Sequence, residues 1–452
     1  MGLPAALVVA VNAQPPASQT PEPPSQPSDI ATTIRGGGLG TPPRIAVPDF
    51  IPYSLDAETQ EAAKTIGQVL WDDLAFEREF DMIPRDTYAS IPAATSFTDV
   101  PLDRWRELGA DGVIIGTVQR TESGIRVEVR MFDISTGQSG FARQYDGSVS
   151  NRRLYAHTIS DEIHREQRAL TGVARTKLTF NSDRDGERMS DTVENRGVKE
   201  IYISDYDGEN QRRVTTQRSL NITSVWSPDA RSIAYASYRR GLPSIVISHL
   251  YEGTLQELTK NSGNNFLPSW SPDGTRLAFM STMDGSGNNE LYVINRDGTN
   301  VRRLTNHPAA EGSPTWSPSG TQIAFTSDRS GSPQIYIMGA DGLGQPRRIT
   351  TSEAYADRPT WSPAPYNEIA YAARTGPGND IKIVDVATGT VRQLTFGEGT
   401  NESPSFAPNG RHLAFMSTRS GREQVFTMSR DGRNVRQITR QGNNRQPDWS
   451  RR

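Results

Sequence analysis

Histidine is the residue type best suited to acid–base or metal chemistry, and this chain has five: His157, His164, His249, His307 and His412. Catalytic zinc needs ligands gathered at short spacing, as in His-Glu-x-x-His, and none of these histidines stands in such a pattern. The absence of cysteine removes thiol nucleophiles, iron–sulfur clusters and Cys-type zinc sites. No Gly-x-Ser-x-Gly nucleophile elbow occurs. The run Gly36-Gly37-Gly38 lacks the Lys-Ser/Thr that lets a glycine loop hold a phosphate. Asp-Gly recurs at Asp297-Gly298, Asp341-Gly342 and Asp431-Gly432 without the alternating carboxylates of a calcium loop, so these pairs read as hairpin turns. Lys plus Arg total 49 against 52 Asp plus Glu, a net charge of −3, which leaves no basic excess for nucleic acid. Catalytic residues, metal ligands and a cofactor are therefore not expected, although a single cation in a central channel stays open. Binding is the chemistry left.

What would position residues for binding is a repeat. Trp226-Ser227-Pro228-Asp229 returns as Trp270-Ser271-Pro272-Asp273, Trp316-Ser317-Pro318-Ser319, Trp361-Ser362-Pro363-Ala364, Phe406-Ala407-Pro408-Asn409 and Trp449-Ser450. These anchors are 43 to 46 residues apart, a period that marks a solenoid or a propeller. Each turn is followed by an apolar strand such as Ile323-Ala324-Phe325, a Ser/Arg/Gly loop, a strand such as Ile335-Tyr336-Ile337, an Asp-Gly turn and a strand ending in Ile349-Thr350. Four short antiparallel strands per unit make a propeller blade. The chain enters the array at Thr176–Phe180, which matches a second strand, and leaves at Pro447–Ser450, which matches a first. A 1+3 clasp closing six blades follows, with no open blade edge.

The unit resembles the TolB-type beta-propeller repeat, and Trp316 to Thr350 follows that pattern nearly throughout, through Thr326-Ser327-Asp328-Arg329-Ser330-Gly331 and Gln334-Ile335-Tyr336. A Pro-rich lead, a small α/β domain and a six-unit propeller together resemble the TolB family over roughly residues 30–452. The resemblance implies a non-enzymatic adaptor of the Tol-Pal system in the periplasm. Its propeller would bind Pal, a peptidoglycan-associated lipoprotein of the outer membrane. Its N-terminal segment would bind TolA, a partner anchored in the inner membrane. The implied role is to maintain outer-membrane integrity and envelope constriction during cell division. One alternative is a propeller that regulates or gates a periplasmic hydrolase or peptidase, and another is a propeller that binds a glycan or small metabolite. The missing nucleophile elbow and the lack of a spare domain weigh against a self-contained enzyme.

In chain order, residues 1–13 are signal-like: Leu3–Val11 is apolar and small residues follow, but no basic stretch precedes it. With about 20 residues needed to span a bilayer, this run is too short, and no other stretch could cross a membrane. No direct membrane insertion is expected, and the protein is expected to be a monomer. Residues 14–43 form a flexible Pro/Gly-rich segment. Within it the resemblance assigns Ile34, Arg35 and Leu39 to TolA. Residues 44–171 form an α/β domain: a strand at Ile45-Ala46-Val47, a helix from Ala57 to about Phe80, an edge strand at Met82-Ile83-Pro84, a short helix Leu102–Leu108, a hairpin from Val113 through Val129, and a last helix carrying Asp161–Leu170. The propeller occupies 172–452.

Two sets of loop residues compete for a binding role. Arg184, Arg239, Arg329 and Arg419 each follow a strand aromatic by four residues, and their periodicity suits pairing between blades or loop capping. The loops leading into the inner strands converge on the channel mouth instead. There Asn221, Asn265, Asn401 and Asn444 recur at one position, with Glu311 and Ala356 in the other units, and the next position varies: Ile222, Phe266, Gly312, Asp357, Glu402 and Arg445. The asparagines either cap turns or line a rim. A polar rim with some apolar anchors suits a protein partner, so Asn221, Asn265, Phe266, Glu311, Asp357, Asn401, Glu402, Asn444 and Arg445 are the candidate contacts for Pal. The connectivity also puts the N-terminal domain on the Asp-Gly side of the ring, away from this rim.

Overall fold

The computed structural model describes residues 41–189, 197–260, 263–285 and 287–451. The signal-like stretch and the segment holding Ile34, Arg35 and Leu39 lie outside the described residues. The N-terminal domain runs β1 (Arg44–Ala46), β2 (Ile51–Pro52), α1 (Ala57–Glu77), β3 (Asp81–Met82), α2 (Leu102–Glu107), β4 (Gly112–Thr121), β5 (Gly124–Asp133), β6 (Ser139–Gly147) and α3 (Arg152–Arg168). The main sheet order is β3-β1-β4-β5-β6, with β2 paired to β4. Helix α1 starts at Asp56, whose side chain accepts the Thr59 N–H at 2.9 Å, and ends at Arg78 in the left-handed region. Strand alternation sends Ile114 and Val118 of β4 to the face covered by α1 and α3. Val113 and Ile115 go to the opposite face, against Trp105 of α2. Two expectations needed extension. The last helix begins at Arg152, well before Asp161, and the hairpin gains a third strand, β6.

The remainder is six four-stranded antiparallel sheets. The inner strands of blades 1 to 5 are Asn221–Trp226, Asn265–Trp270, Glu311–Trp316, Ala356–Trp361 and Asn401–Phe406. Blade 6 joins the inner strand Asn444–Trp449 to β7 (Lys177–Ser182), β8 (Glu200–Asp205) and β9 (Arg212–Arg213), the expected 1+3 clasp. Lys177 N–H donates to Ser450 Oγ and Ser450 N–H to Lys177 O, each at 2.8 Å. Trp449 is 3% exposed and its indole N–H donates to Thr176 Oγ1 at 2.7 Å.

The Ile-Ala-Phe pattern has a packing cause. Ile323 and Phe325 of blade 3 pack toward blade 2, against Ala278 and Leu291. Ala324 points the other way and leaves room for Trp361 and Tyr371 of blade 4. A large residue there would collide with the neighbouring tryptophan. The Ser-Pro-Asp-Gly turn is similarly determined. Ser271 Oγ accepts Arg276 N–H at 3.0 Å, Asp273 accepts Thr275 N–H at 3.0 Å, and Gly274 takes a φ of 69°.

Candidate functional site

The ring has two ends, and one is occupied. The N-terminal domain sits on the end formed by the Trp-Ser-Pro and Asp-Gly turns. Phe76 of α1 stacks on His412 at 4.4 Å and meets Tyr206 edge-on at 4.9 Å. Asp73, buried in α1, takes the Tyr206 hydroxyl at 2.7 Å and His157 Nδ1 at 2.8 Å. Glu77 accepts Val173 N–H at 2.6 Å and Asn409 Nδ2 at 3.2 Å, and pairs with Arg411, which also bonds Glu79 at 2.6 Å. Although burial opposes charge on His157, the Asp73 and Asp205 carboxylates carry it up to about 9. Burial holds His164 down at about 4 and His412 at about 3. Three histidines that are scattered in sequence thus meet at this junction. Among the described residues no group of three or more acidic or histidine side chains is placed to hold a metal.

The other end is open among the described residues, and it carries the candidate contacts. Asn221, Asn265, Glu311, Asn401 and Asn444 are at most 1% exposed. Their expected place on a contact surface is corrected: they are interior posts. Asn221 donates to Glu200 at 2.8 Å, Asn401 to Asp380 at 3.1 Å and Asn444 to Gln424 at 2.9 Å, each time across the seam to the preceding blade. The Ser-x-Arg loops lock these posts from inside the same blade, not between blades. Arg184 donates to Asn444 at 2.9 Å, Arg329 to Glu311 at 2.9 Å and Arg419 to Asn401 at 3.0 Å. Each guanidinium also lies over its blade's strand aromatic, as Arg329 does over Phe325 and Tyr336.

The variable residues do reach the surface. Phe266 is half-buried and leans on Tyr238 with ring centroids 6.0 Å apart. Asp357 gathers Thr326 Oγ1 at 2.8 Å, Ser313 Oγ at 3.1 Å and the Tyr355 hydroxyl at 3.2 Å. Glu402 accepts from Asn379 at 2.8 Å, and Arg445 pairs with Glu423. Two apolar residues on loops of this end escaped sequence reading: Phe396, 70% exposed, and Leu242, 59% exposed. Phe396 was legible in principle, because it occupies the place held by Lys260, Asn306, Thr351 and Arg440 in other repeats.

One residue further in, every inner strand bulges. Thr223, Leu267, Ser313, Arg358, Ser403 and Gln446 all hold φ between 49° and 57°, and the register shifts at each. A left-handed non-glycine residue costs of order 1 kcal/mol or more, and persists only where its surroundings impose it. These bulges and the prolines after five of them frame a funnel of about 140 Å³ leading to Asp448. Asp448 is held by Trp226 N–H at 2.8 Å and Ser405 Oγ at 3.0 Å, and burial pushes it up to about 6. Behind it a chamber of about 320 Å³, lined by the six anchor aromatics, opens toward the occupied end. The rim is thus a shallow, mixed polar and apolar surface around a one-side-chain funnel, a geometry suited to protein recognition.

Residues 172–452 match the family model described as the TolB beta propeller domain, and residues 32–139 that of the TolB amino-terminal domain. The Tol-Pal system protein TolB of Alkalilimnicola ehrlichii is 32% identical over 153 residues, 34% of this chain and 34% of that protein. The Tol-Pal system protein TolB of Desulfosudis oleivorans is 35% identical over 146 residues, 32% of this chain and 33% of that protein. These aligned stretches span about a third of each relative's length. The crystal structure of TolB from Acinetobacter baumannii superposes with a TM-score of 0.74 at 27% identity, covering 91% of this chain and 97% of that one.

Proposed function

The chain belongs to the TolB family, and on that premise we propose that it is a non-enzymatic periplasmic adaptor of the Tol-Pal system. Its propeller binds Pal through the open rim, and its N-terminal segment, including Ile34, Arg35 and Leu39, engages TolA. In this reading the protein maintains outer-membrane integrity and envelope constriction during division. The observation that carries it is the inequality of the two ends. The turn end is spent on the N-terminal domain, through Asp73, Phe76 and Glu77. The rim end presents Phe266, Phe396, Leu242, Asp357, Glu402 and Arg445 with no domain over them among the described residues. Apolar anchors ringed by charge on a rigid frame suit a folded protein better than a small molecule.

The test is binding of purified Pal to the full chain, with rim and turn-end variants compared by titration. Loss of binding in rim variants of unchanged melting temperature supports the reading. Loss confined to turn-end variants overturns the assignment of the face.

A further inference from the structure

At three seams a residue in the first two positions of the third strand of one blade accepts a hydrogen bond from an asparagine heading the next inner strand: Glu200 from Asn221, Asp380 from Asn401 and Gln424 from Asn444. Ser244 precedes Asn265 at a fourth seam, and Gln334 precedes Ala356 at a fifth. The seam between blades 2 and 3 differs from all of these. There Glu290 heads the third strand of blade 2, and Glu311 heads the inner strand of blade 3. The backbone of the seam is unchanged: Glu311 N–H donates to Asn289 O at 2.9 Å, as Asn221 N–H donates to Lys199 O at 2.8 Å. A carboxylate therefore stands where four of the other five seams have an asparagine and the fifth has Ala356, and an ionised carboxylate can only accept.

Both side chains are buried, Glu290 at 0% and Glu311 at 1% exposure. One oxygen of each is fully engaged. Glu290 Oε1 accepts from Arg303 at 2.8 Å and from His307 N–H at 2.9 Å. Glu311 Oε1 accepts from Arg329 at 2.9 Å and from Ser327 Oγ at 3.0 Å. The second oxygens, Glu290 Oε2 and Glu311 Oε2, have no hydrogen-bond partner. The unchanged seam backbone puts these two buried carboxyls in the places that Asn221 and Glu200 hold at hydrogen-bond distance in another seam. Two carboxylates so placed cannot both carry charge without cost, which a proton between them relieves. We propose that this pair is a proton-binding site, Glu311 carrying the proton on Oε2 and donating it to Glu290, so that a carboxylic acid does here what asparagine does elsewhere.

The charges around the pair do not replace that proton. Arg329, on the loop after the second strand of blade 3, and Arg303, on the outer strand of blade 2, each hold the oxygen already engaged. Arg303 is shared with Asp284 at 2.7 Å. Tyr292 adds a neutral phenol, and the His307 ring accepts Ala309 N–H at 3.0 Å. Burial pushes Glu311 up to about 7 against the pull of Arg329, with Glu290 adding to the push. A carboxyl group raised in the folded state binds a proton that the unfolded chain has released. Its contribution is thus full below the ordinary value of 4.5 and is lost as pH rises through about 7. Deprotonation sets two carboxylates against each other one residue from Gly312 on the rim.

The test compares thermal unfolding of the full chain and of Glu311→Gln from about pH 5 to about pH 9. Glutamine supplies a permanent donor, so the variant should gain several degrees on the natural chain as pH rises. Glu290→Gln approaches the pair from the other side and should show the same widening gap if the first variant folds poorly. Infrared spectra near neutral pH should show a protonated-carboxyl band that Glu311→Gln removes. A gap that stays constant or narrows with pH, with no such band, overturns the proposal. A chelator-induced fall in melting temperature that Glu311→Gln abolishes also overturns it, by showing a metal ion in the gap.

Discussion

The two ends of the ring are cut from the same six repeats, yet they obey different rules. At the turn end the repeat is regular: Ser271 and its counterparts cap their turns, and the anchor aromatics line one chamber. That end is then sealed by buried charge, with Asp73, Glu77, His157 and Arg411 joining the N-terminal domain to blades 5 and 6. At the rim end the posts are equally regular and equally buried, but the residue after each post follows no pattern. Strain collects there too, in six left-handed residues that no turn requires. In a repeat protein, periodic polar residues belong to the frame, and recognition is to be sought where the period fails.

The comparison can be broken most forcefully at the clasp, on which both ends depend. Removing residues 441–452 should abolish the single cooperative melt of the propeller. Trp449→Ala alone should cost roughly 3–5 kcal/mol in denaturant unfolding, as for a large aromatic lost from a core. A truncated chain melting like the intact one would refute ring closure by this strand. The next largest effect belongs to the sealed end. Arg411→Ala strands the buried Glu77 carboxylate, at about 3–5 kcal/mol. Calorimetry should then resolve separate transitions for the two domains.

A smaller effect is expected with pH. His157 is raised from 6.5 to about 9 in the folded state, so its contribution is complete below about 6.5 and is lost as pH rises through about 9. His157→Asn should flatten that part of the stability profile, and a profile identical to that of the natural chain would show that the Asp73–His157 contact is not charged. The smallest change in stability should come from the rim. Phe266→Asp combined with Glu402→Lys should shift the melting temperature by no more than a few degrees and yet weaken the proposed Pal binding. Matching changes at Asp297 and Asp431 should leave binding nearly intact.

Much of the frame was legible in the chain alone. The Trp-Ser-Pro period, the Ile-Ala-Phe strands and the offset between entry and exit specified six blades and their clasp, because each blade is a local programme. The N-terminal domain was read less completely, for physical reasons. The buried face of α3 carries His157, Ser160, His164 and Gln167, since it faces an ionic junction, and hydrophobic periodicity fails on such a face. Strand β6 buries only Phe141 fully, leaving too little alternation to announce it. The posts were misplaced because a recurrent asparagine looks alike whether it caps a turn or bridges a seam. Its partner, such as Glu200 for Asn221, lies on another strand and becomes visible only in three dimensions.

The clasp also dictates when the ring can exist. Lys177 and Ser450 are 273 residues apart along the chain and in contact in the fold. Until the strand Asn444–Trp449 has been synthesised, β7 has no inner-strand partner and blade 6 remains an open sheet edge. Closure is therefore an event of high contact order, slow by comparison with the local hairpins it joins. The ring locks only when Trp449 comes to lie beside Leu178.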